Sequence, residues 1–185
     1  GLGAVTTTFM TGVLMARKGL AKPVGSMTQY DKIRVGRGEN KKYLHYSDII
    51  SFASLADLVF GSCDVYPENA YESALHAQVL NERDIEPVAE ELKAIVPLKA
   101  AFDRNFASRL DGTNVKDCST RWEMVEALRQ DIRDFKARTD CNRVVVIWAA
   151  STEIYVPVDA AVHGTLAALE TAMKADDRQR IAPSM

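Results

Sequence analysis

Gly1-Leu2-Gly3-Ala4-Val5-Thr6-Thr7-Thr8, running straight into Phe9–Arg17, is the stretch on which the fold reading turns. A G-x-G followed by small and hydroxylated residues and then a helix is how a βαβ unit offers backbone N–H groups to a diphosphate. The glycines permit a tight turn and close approach, and the helix N-terminus adds partial positive charge. Two departures stand out. Thr6 occupies the place of the third glycine in G-x-G-x-x-G, and no strand precedes Gly1. On its own the turn reads either as a nucleotide cradle or as an ordinary glycine-containing loop.

Working outward, Thr6–Lys18 carries Phe9, Met10, Val13 and Leu14 on one face, with Gly19 placed as a helix-ending glycine. Ala21–Asn40 is rich in breakers and reads as loop, apart from a short alternating strand at Lys32–Val35. Leu58–Ser62 reads as a buried parallel strand whose carboxyl edge, at Asp64, reaches a ligand crevice. Pro67–Leu80 and Asp84–Ile95 read as helices, and Pro97–Asp117 as irregular, with Asp111-Gly112-Thr113-Asn114 its clearest turn. Thr120-Arg121-Trp122-Glu123 has the form of a capping box. It opens a helix in which Trp122, Val125, Leu128, Ile132 and Phe135 form a packing stripe.

Arg143-Val144-Val145-Val146-Ile147-Trp148 is continuously apolar after its first residue, so it is predicted to be a central strand covered on both faces. It breaks into Ala149-Ala150-Ser151-Thr152, small residues that leave room for a ligand at a strand end. Asp159–Lys174 is predicted to be one amphipathic helix. Strands alternating with helices give an α/β chain: a Rossmann-like, doubly wound, mostly parallel sheet in one domain spanning residues 1–185.

Composition narrows the function. The chain has 185 residues, a formal charge of −2, 47% apolar and 26% charged residues, a soluble globular profile with no signal for nucleic acid. No apolar run approaches the ~20 residues of a membrane span, so no membrane partner is expected. Three scattered cysteines fit reduced cytosolic thiols, and three scattered histidines argue against a His/Cys metal centre.

The chemistry-bearing residues therefore sit at three strand ends expected to converge on one crevice: the Gly1–Thr8 turn, Gly61-Ser62-Cys63-Asp64, and Ala149–Thr152. An acid at a strand terminus accepts hydrogen bonds from both hydroxyls of an adenosine ribose and repels a 2′-phosphate, favouring NAD over NADP. Asp64 lies roughly sixty residues past the turn, against a usual spacing of ~20. It also reads as a loop or helix-capping aspartate before Tyr66 and Pro67. Ser151 and Thr152 read equally as a helix-entry loop.

Gly1–Thr7, Val24-Gly25-Ser26-Met27-Thr28-Gln29 and Asp131-Ile132-Arg133-Asp134-Phe135-Lys136 together resemble the myo-inositol-1-phosphate (inositol-3-phosphate) synthases. So do Val146–Glu153 and Ile181-Ala182-Pro183-Ser184, in the same order and with similar spacing. The resemblance implies an enzyme that converts D-glucose 6-phosphate to 1D-myo-inositol 3-phosphate by oxidation at C5, intramolecular aldol closure and reduction, with NAD regenerated each turnover. It implies cofactor contacts at Gly1, Gly3, Ala4, Val5 and Thr6 for the diphosphate, Asp64 for the ribose, and Ala149, Ala150, Ser151 and Thr152 along the rest. It also implies a cytosolic homo-oligomer, a tetramer, acting in the supply of myo-inositol for phospholipids. The chain departs from eukaryotic relatives, which have a Gly-Gly-Asn-Asn-Gly-like turn and a tryptophan where Cys63 stands.

No catalytic residue is assigned, because the family's catalytic lysines and aspartates would lie past Met185. The chain is thus expected to be an incomplete segment of a longer enzyme. Lys99, Lys136 and Glu153 read as solvated or structural. Two other readings stay open: a non-catalytic nucleotide-sensing module, and an NAD-dependent dehydrogenase of another kind.

Overall fold

The computed structural model describes residues 1–150 and 153–185. Helix α1 (Ala4–Arg17) begins directly on Gly3 and ends where Gly19, at φ +68°, takes the left-handed conformation of a helix terminator. Next come α2 (Met27–Tyr30) and an antiparallel hairpin of β1 (Lys32–Val35) and β2 (Lys42–His45). A separate, parallel sheet pairs β3 (Cys63–Asp64) with β4 (Leu98–Lys99), extended by a parallel bridge between Ala100 and Val115. Between them run α3 (Ala70–Ala77), α4 (Glu82–Ile85) and α5 (Ala89–Lys93). The chain closes with α6 (Arg121–Thr139), α7 (Ala160–His163) and α8 (Leu166–Lys174).

Helices cover the sheet from both sides. Leu2, Met10 and Leu14 pack with Ala70, Ala74, Ile85, Val88 and Leu92, joining α1, α3 and α5 in one cluster. Val162, Ala172, Met173 and Ile181 form a second, against which Trp122 and Val125 of α6 pack. Successive residues leading into β3 divide between the layers, as strand alternation requires. Phe60 meets Phe9 of α1 edge-to-face, with centroids 5.8 Å apart, and belongs to the first cluster. At Gly61 a side chain would strike the Phe135 ring of α6 at 2.7 Å. One residue therefore faces α1 and the next faces α6, which is the doubly wound arrangement.

Caps explain where several helices start. Thr120 Oγ1 accepts the Glu123 N–H at 3.2 Å while Glu123 reaches back to the Thr120 N–H, the reciprocal box expected from the sequence. Asn69 and Glu72 repeat it at α3.

Four expectations need correction. The Leu58–Ser62 strand is displaced towards its C-terminus: pairing begins where Leu98 N–H reaches Ser62 O at 2.9 Å, and the ladder proper is Cys63–Asp64. Arg17 uses the carbonyls of Leu55 and Leu58 to tie that segment to the end of α1 instead of leaving them to a neighbouring strand. The irregular Pro97–Asp117 stretch contains β4 and the Val115 bridge. The Asp159–Lys174 helix is broken at Gly164, because Thr165 turns extended and its hydroxyl caps α8 through Ala168 N–H.

The largest departure is Arg143–Trp148. Among the described residues it forms no ladder, and Val145, Val146 and Ile147 are 75%, 68% and 71% exposed. The first apolar cluster closes around Leu2 and the second around Ile181, so neither layer reaches this run.

Candidate functional site

The glycine turn is held from three directions. Leu2 is buried at 3% exposure in the first core cluster, which anchors the turn from below. Its N–H donates to Asp64 Oδ2, joining the turn to the end of β3. A methyl group at Gly1 would meet that same Oδ2 at 2.9 Å and the Ala149 carbonyl oxygen at 3.1 Å, so only glycine lets the three segments come this close. The sequence reading expects the turn, Asp64 and Ala149, each at a strand end, to converge on one crevice. The fold brings them to one edge.

Above Gly3 the helix is open. The first bond of α1 runs from Thr7 N–H to Gly3 O at 3.0 Å, so the Ala4, Val5 and Thr6 amides precede the helix's own acceptors. No side chain caps Gly3, and a Cβ there would project into open space. The φ of Gly3 is −72°, which any residue adopts. Its lack of a side chain therefore serves no internal packing and leaves room beside uncapped amides and the positive helix end. That is the shape and charge a diphosphate requires, and the residues present fit a dinucleotide. Thr7, which the sequence reading passed over, is buried and returns its hydroxyl to Gly3 O at 3.1 Å. A hydroxyl four residues past the turn glycine was the available signal for that brace.

Asp64 is more than an acid at a strand end. Oδ1 accepts from Tyr66 N–H at 2.9 Å and Oδ2 from Leu2 N–H. Each carboxylate oxygen still has acceptor capacity for a ribose hydroxyl. The loop-aspartate reading is thus borne out by the Leu2 and Tyr66 amides, and it leaves acceptor capacity with which the ribose reading is compatible. Cys63 beside it is a thiol at neutral pH: burial pushes its ionisation upward, and the nearby Asp131 charge adds to this.

Ala149 lies half-buried at the site and Ala150 is exposed, while Ser151 and Thr152 lie outside the described residues. The next two residues are tied down: the Glu153 carboxylate accepts from Ser184 Oγ at 2.7 Å, and Ile154 N–H donates to Phe106 O at 2.9 Å. Glu153 is therefore structural, and Lys99 and Lys136 are exposed on β4 and α6. Asp131 pairs with Lys116 at 2.5 Å. The Gly25–Gln29 segment, which leads into α2, is held by Ser26 Oγ with Thr28 Oγ1 at 3.3 Å and by Gln29 Nε2 donating to Ala53 O, 24 residues on. Among the described residues no three His, Cys, Asp or Glu side chains gather as metal ligands, and no helix is long and apolar enough to cross a membrane.

Comparison with known proteins decides the family. An NAD-binding sequence profile described as myo-inositol-1-phosphate synthase matches residues 1–185, the whole chain. The chain belongs to the myo-inositol-1-phosphate synthase family. Inositol-3-phosphate synthase 1 of Bacteroides thetaiotaomicron is 55% identical over 99% of this chain and 42% of its own length. The Trypanosoma brucei inositol-3-phosphate synthase is 32% identical over 100% of this chain and 38% of its own length. A crystal structure of the Caenorhabditis elegans synthase superposes with a TM-score of 0.90 at 24% identity, covering 99% of this chain and 39% of that one. The chain therefore spans about two fifths of the length of the relatives it matches.

Membership of this synthase family makes NAD the cofactor and the fold Rossmann-like, with the parallel sheet expected from the sequence. Thr6 in place of a third glycine then has a simple reading. The third glycine of the motif serves close packing of helix on strand, and Thr6, in the first turn of α1, is only half-buried, so its side chain is accommodated there.

Proposed function

We propose that residues 1–185 are the NAD-binding part of a longer inositol-3-phosphate synthase, which converts D-glucose 6-phosphate to 1D-myo-inositol 3-phosphate. The observation that carries this reading is the convergence of the Gly1–Gly3 turn, Asp64 and Ala149 at one edge, in a chain matched by the synthase family along its whole length. In this reading the amides from Gly3 to Thr6 hold the diphosphate and Gly1 gives it close approach. Asp64 accepts from the adenosine ribose hydroxyls and repels a 2′-phosphate. Ala149, Ala150, Ser151 and Thr152 line the remaining length.

When bound, NAD accepts and later returns a hydride, so the enzyme needs it only in catalytic amounts. This chain's residues hold and orient it; the groups that move protons on the sugar belong to the part of the enzyme beyond residue 185. The assembled protein is proposed to be a cytosolic homo-oligomer, a tetramer, whose product supplies myo-inositol for phospholipids. Substrate and catalytic residues come from outside this segment.

The test uses the full-length protein with glucose 6-phosphate and NAD well below the substrate concentration. Inositol phosphate should accumulate to many turnovers per NAD, with no lasting rise in absorbance from NADH. Stoichiometric NADH formation would instead identify a dehydrogenase. Tight nucleotide binding without turnover would identify a sensing module.

A further inference from the structure

Asp64 ends a strand of only two residues, and a two-residue parallel pair fixes a side chain poorly by itself. The turn at Asp111–Asn114, on the far side of the same peptide, holds it in place. Asn114 Nδ2 donates to Asp64 O at 2.9 Å and to Leu98 O at 3.2 Å, bridging the ends of β3 and β4. The Asn114 N–H donates to Val65 O at 2.9 Å, and its carbonyl accepts from Ala100 N–H at 3.0 Å. Both amide hydrogens are used, and one residue ties three segments of backbone together. Gly112 presses the turn onto the same place: a Cβ there would lie 2.1 Å from Val65 O, a position only glycine permits.

Both carbonyls that flank the Asp64–Val65 junction are thus gripped by Asn114, while the Asp64 carboxylate points the other way, to the Leu2 and Tyr66 amides. Recognition of a sugar hydroxyl pair tolerates displacements of only about 0.5 Å. We propose that Asn114 is a positioning residue for the cofactor: it fixes Asp64 at the sheet edge and thereby sets the preference for NAD over its 2′-phosphorylated form. The proposal rests on the reading of Asp64 as the ribose acid.

The distinguishing readout is the ratio of NADP to NAD dissociation constants, measured by titration calorimetry on the full-length protein. Asn114→Ala is expected to weaken NAD about fivefold, as loss of hydrogen bonds of this kind does. It should change NADP binding by less than about twofold, so the ratio narrows, because a displaced Asp64 neither grips the ribose nor repels the phosphate. Asn114→Asp should narrow it further, since a carboxylate facing two carbonyl oxygens is repelled. If Asn114→Ala does not fold, Asn114→Gln, which keeps the amide but displaces it by one methylene, carries the same expectation. Equal weakening of both nucleotides would mean a general structural role and overturn the proposal. Asp64→Asn serves as reference. If it narrows the ratio and the Asn114 variants do not, Asn114 is not the positioning residue. If Asp64→Asn leaves the ratio unchanged, the ribose reading itself fails.

Discussion

Asp64→Ala is expected to weaken NAD binding by tenfold or more, and by more than loss of one ribose contact explains. The carboxylate has two kinds of work. In the proposed reading it offers acceptors to the ribose, and in the structure it holds the glycine turn against the sheet edge through the Leu2 amide. Hydrogen bonds to charged groups are worth ~1.5–3 kcal/mol each, and about 1.4 kcal/mol is a factor of ten in affinity. Losing the ribose contact alone meets the tenfold figure. Releasing Leu2 then loosens the amides of Ala4–Thr6 as well, which lowers affinity again. Titration of the full-length protein with NAD measures the sum. A shorter cofactor fragment carrying the diphosphate but no adenosine measures the second part separately. Unchanged NAD affinity in Asp64→Ala would remove this residue from the site.

Arg121→Ala is expected to cost about 3 kcal/mol of stability, the scale for breaking a buried ion pair by removing one partner. Arg121 and Asp103 meet at 2.6 Å with side chains only 6% and 9% exposed. The guanidinium also lies over the Phe106 ring, 5.4 Å from its centroid. Burial pushes the Asp103 carboxyl upward, but the hydrogen bonds from Arg121 and the Asn105 amide outweigh it and hold the ionisation below the usual 3.8. A depressed carboxylate stabilises the fold above its unfolded value and loses that contribution as pH falls through its folded value. The wild-type protein should therefore lose this contribution in acid. In Arg121→Ala the same carboxylate is buried without its partner, so the gap between the two proteins should shrink below about pH 4. Denaturant unfolding at pH 7 and pH 3 checks both statements. The double variant Arg121→Met with Asp103→Leu should recover most of the loss, since two apolar side chains leave no buried charge. Recovery that fails would show that stacking on Phe106, not the pair, carries the energy.

How far the sequence could be read depends on the range of each signal. Helix starts at Thr120 and the stop at Gly19 were legible because a cap and the helix it closes are adjacent in the chain. The meeting of the glycine turn, Asp64 and Ala149 was legible too, because small residues and an acid at strand ends carry meaning before the strands are paired. Pairing itself is not local. Nothing in Leu58–Ser62 tells that Arg17, far back on α1, takes the carbonyls of Leu55 and Leu58 and that the ladder starts only at Cys63. The exposure of Val145–Ile147 is a property of which layers reach that run, and hydropathy alone cannot state it. Asn114 was legible as a turn residue. Its reach to Asp64 and Leu98 depends on three segments meeting, so its part in the site appears only in three dimensions.

The chain's two tryptophans stand in opposite surroundings, and this gives the molecule a built-in optical reporter. Trp122 lies against two cations, with Lys174 Nζ at 4.5 Å and the Arg129 guanidinium at 5.4 Å from its ring centroid. Trp148 is 55% exposed and directly precedes Ala149, which meets the glycine turn and Asp64 at one edge. The indole of Trp148 is therefore in a wet setting next to Ala149, which the proposed reading puts beside the cofactor, while that of Trp122 is half-buried on α6. Fluorescence quenching on cofactor titration would therefore arise at one end of the molecule, with the other tryptophan supplying a constant internal standard.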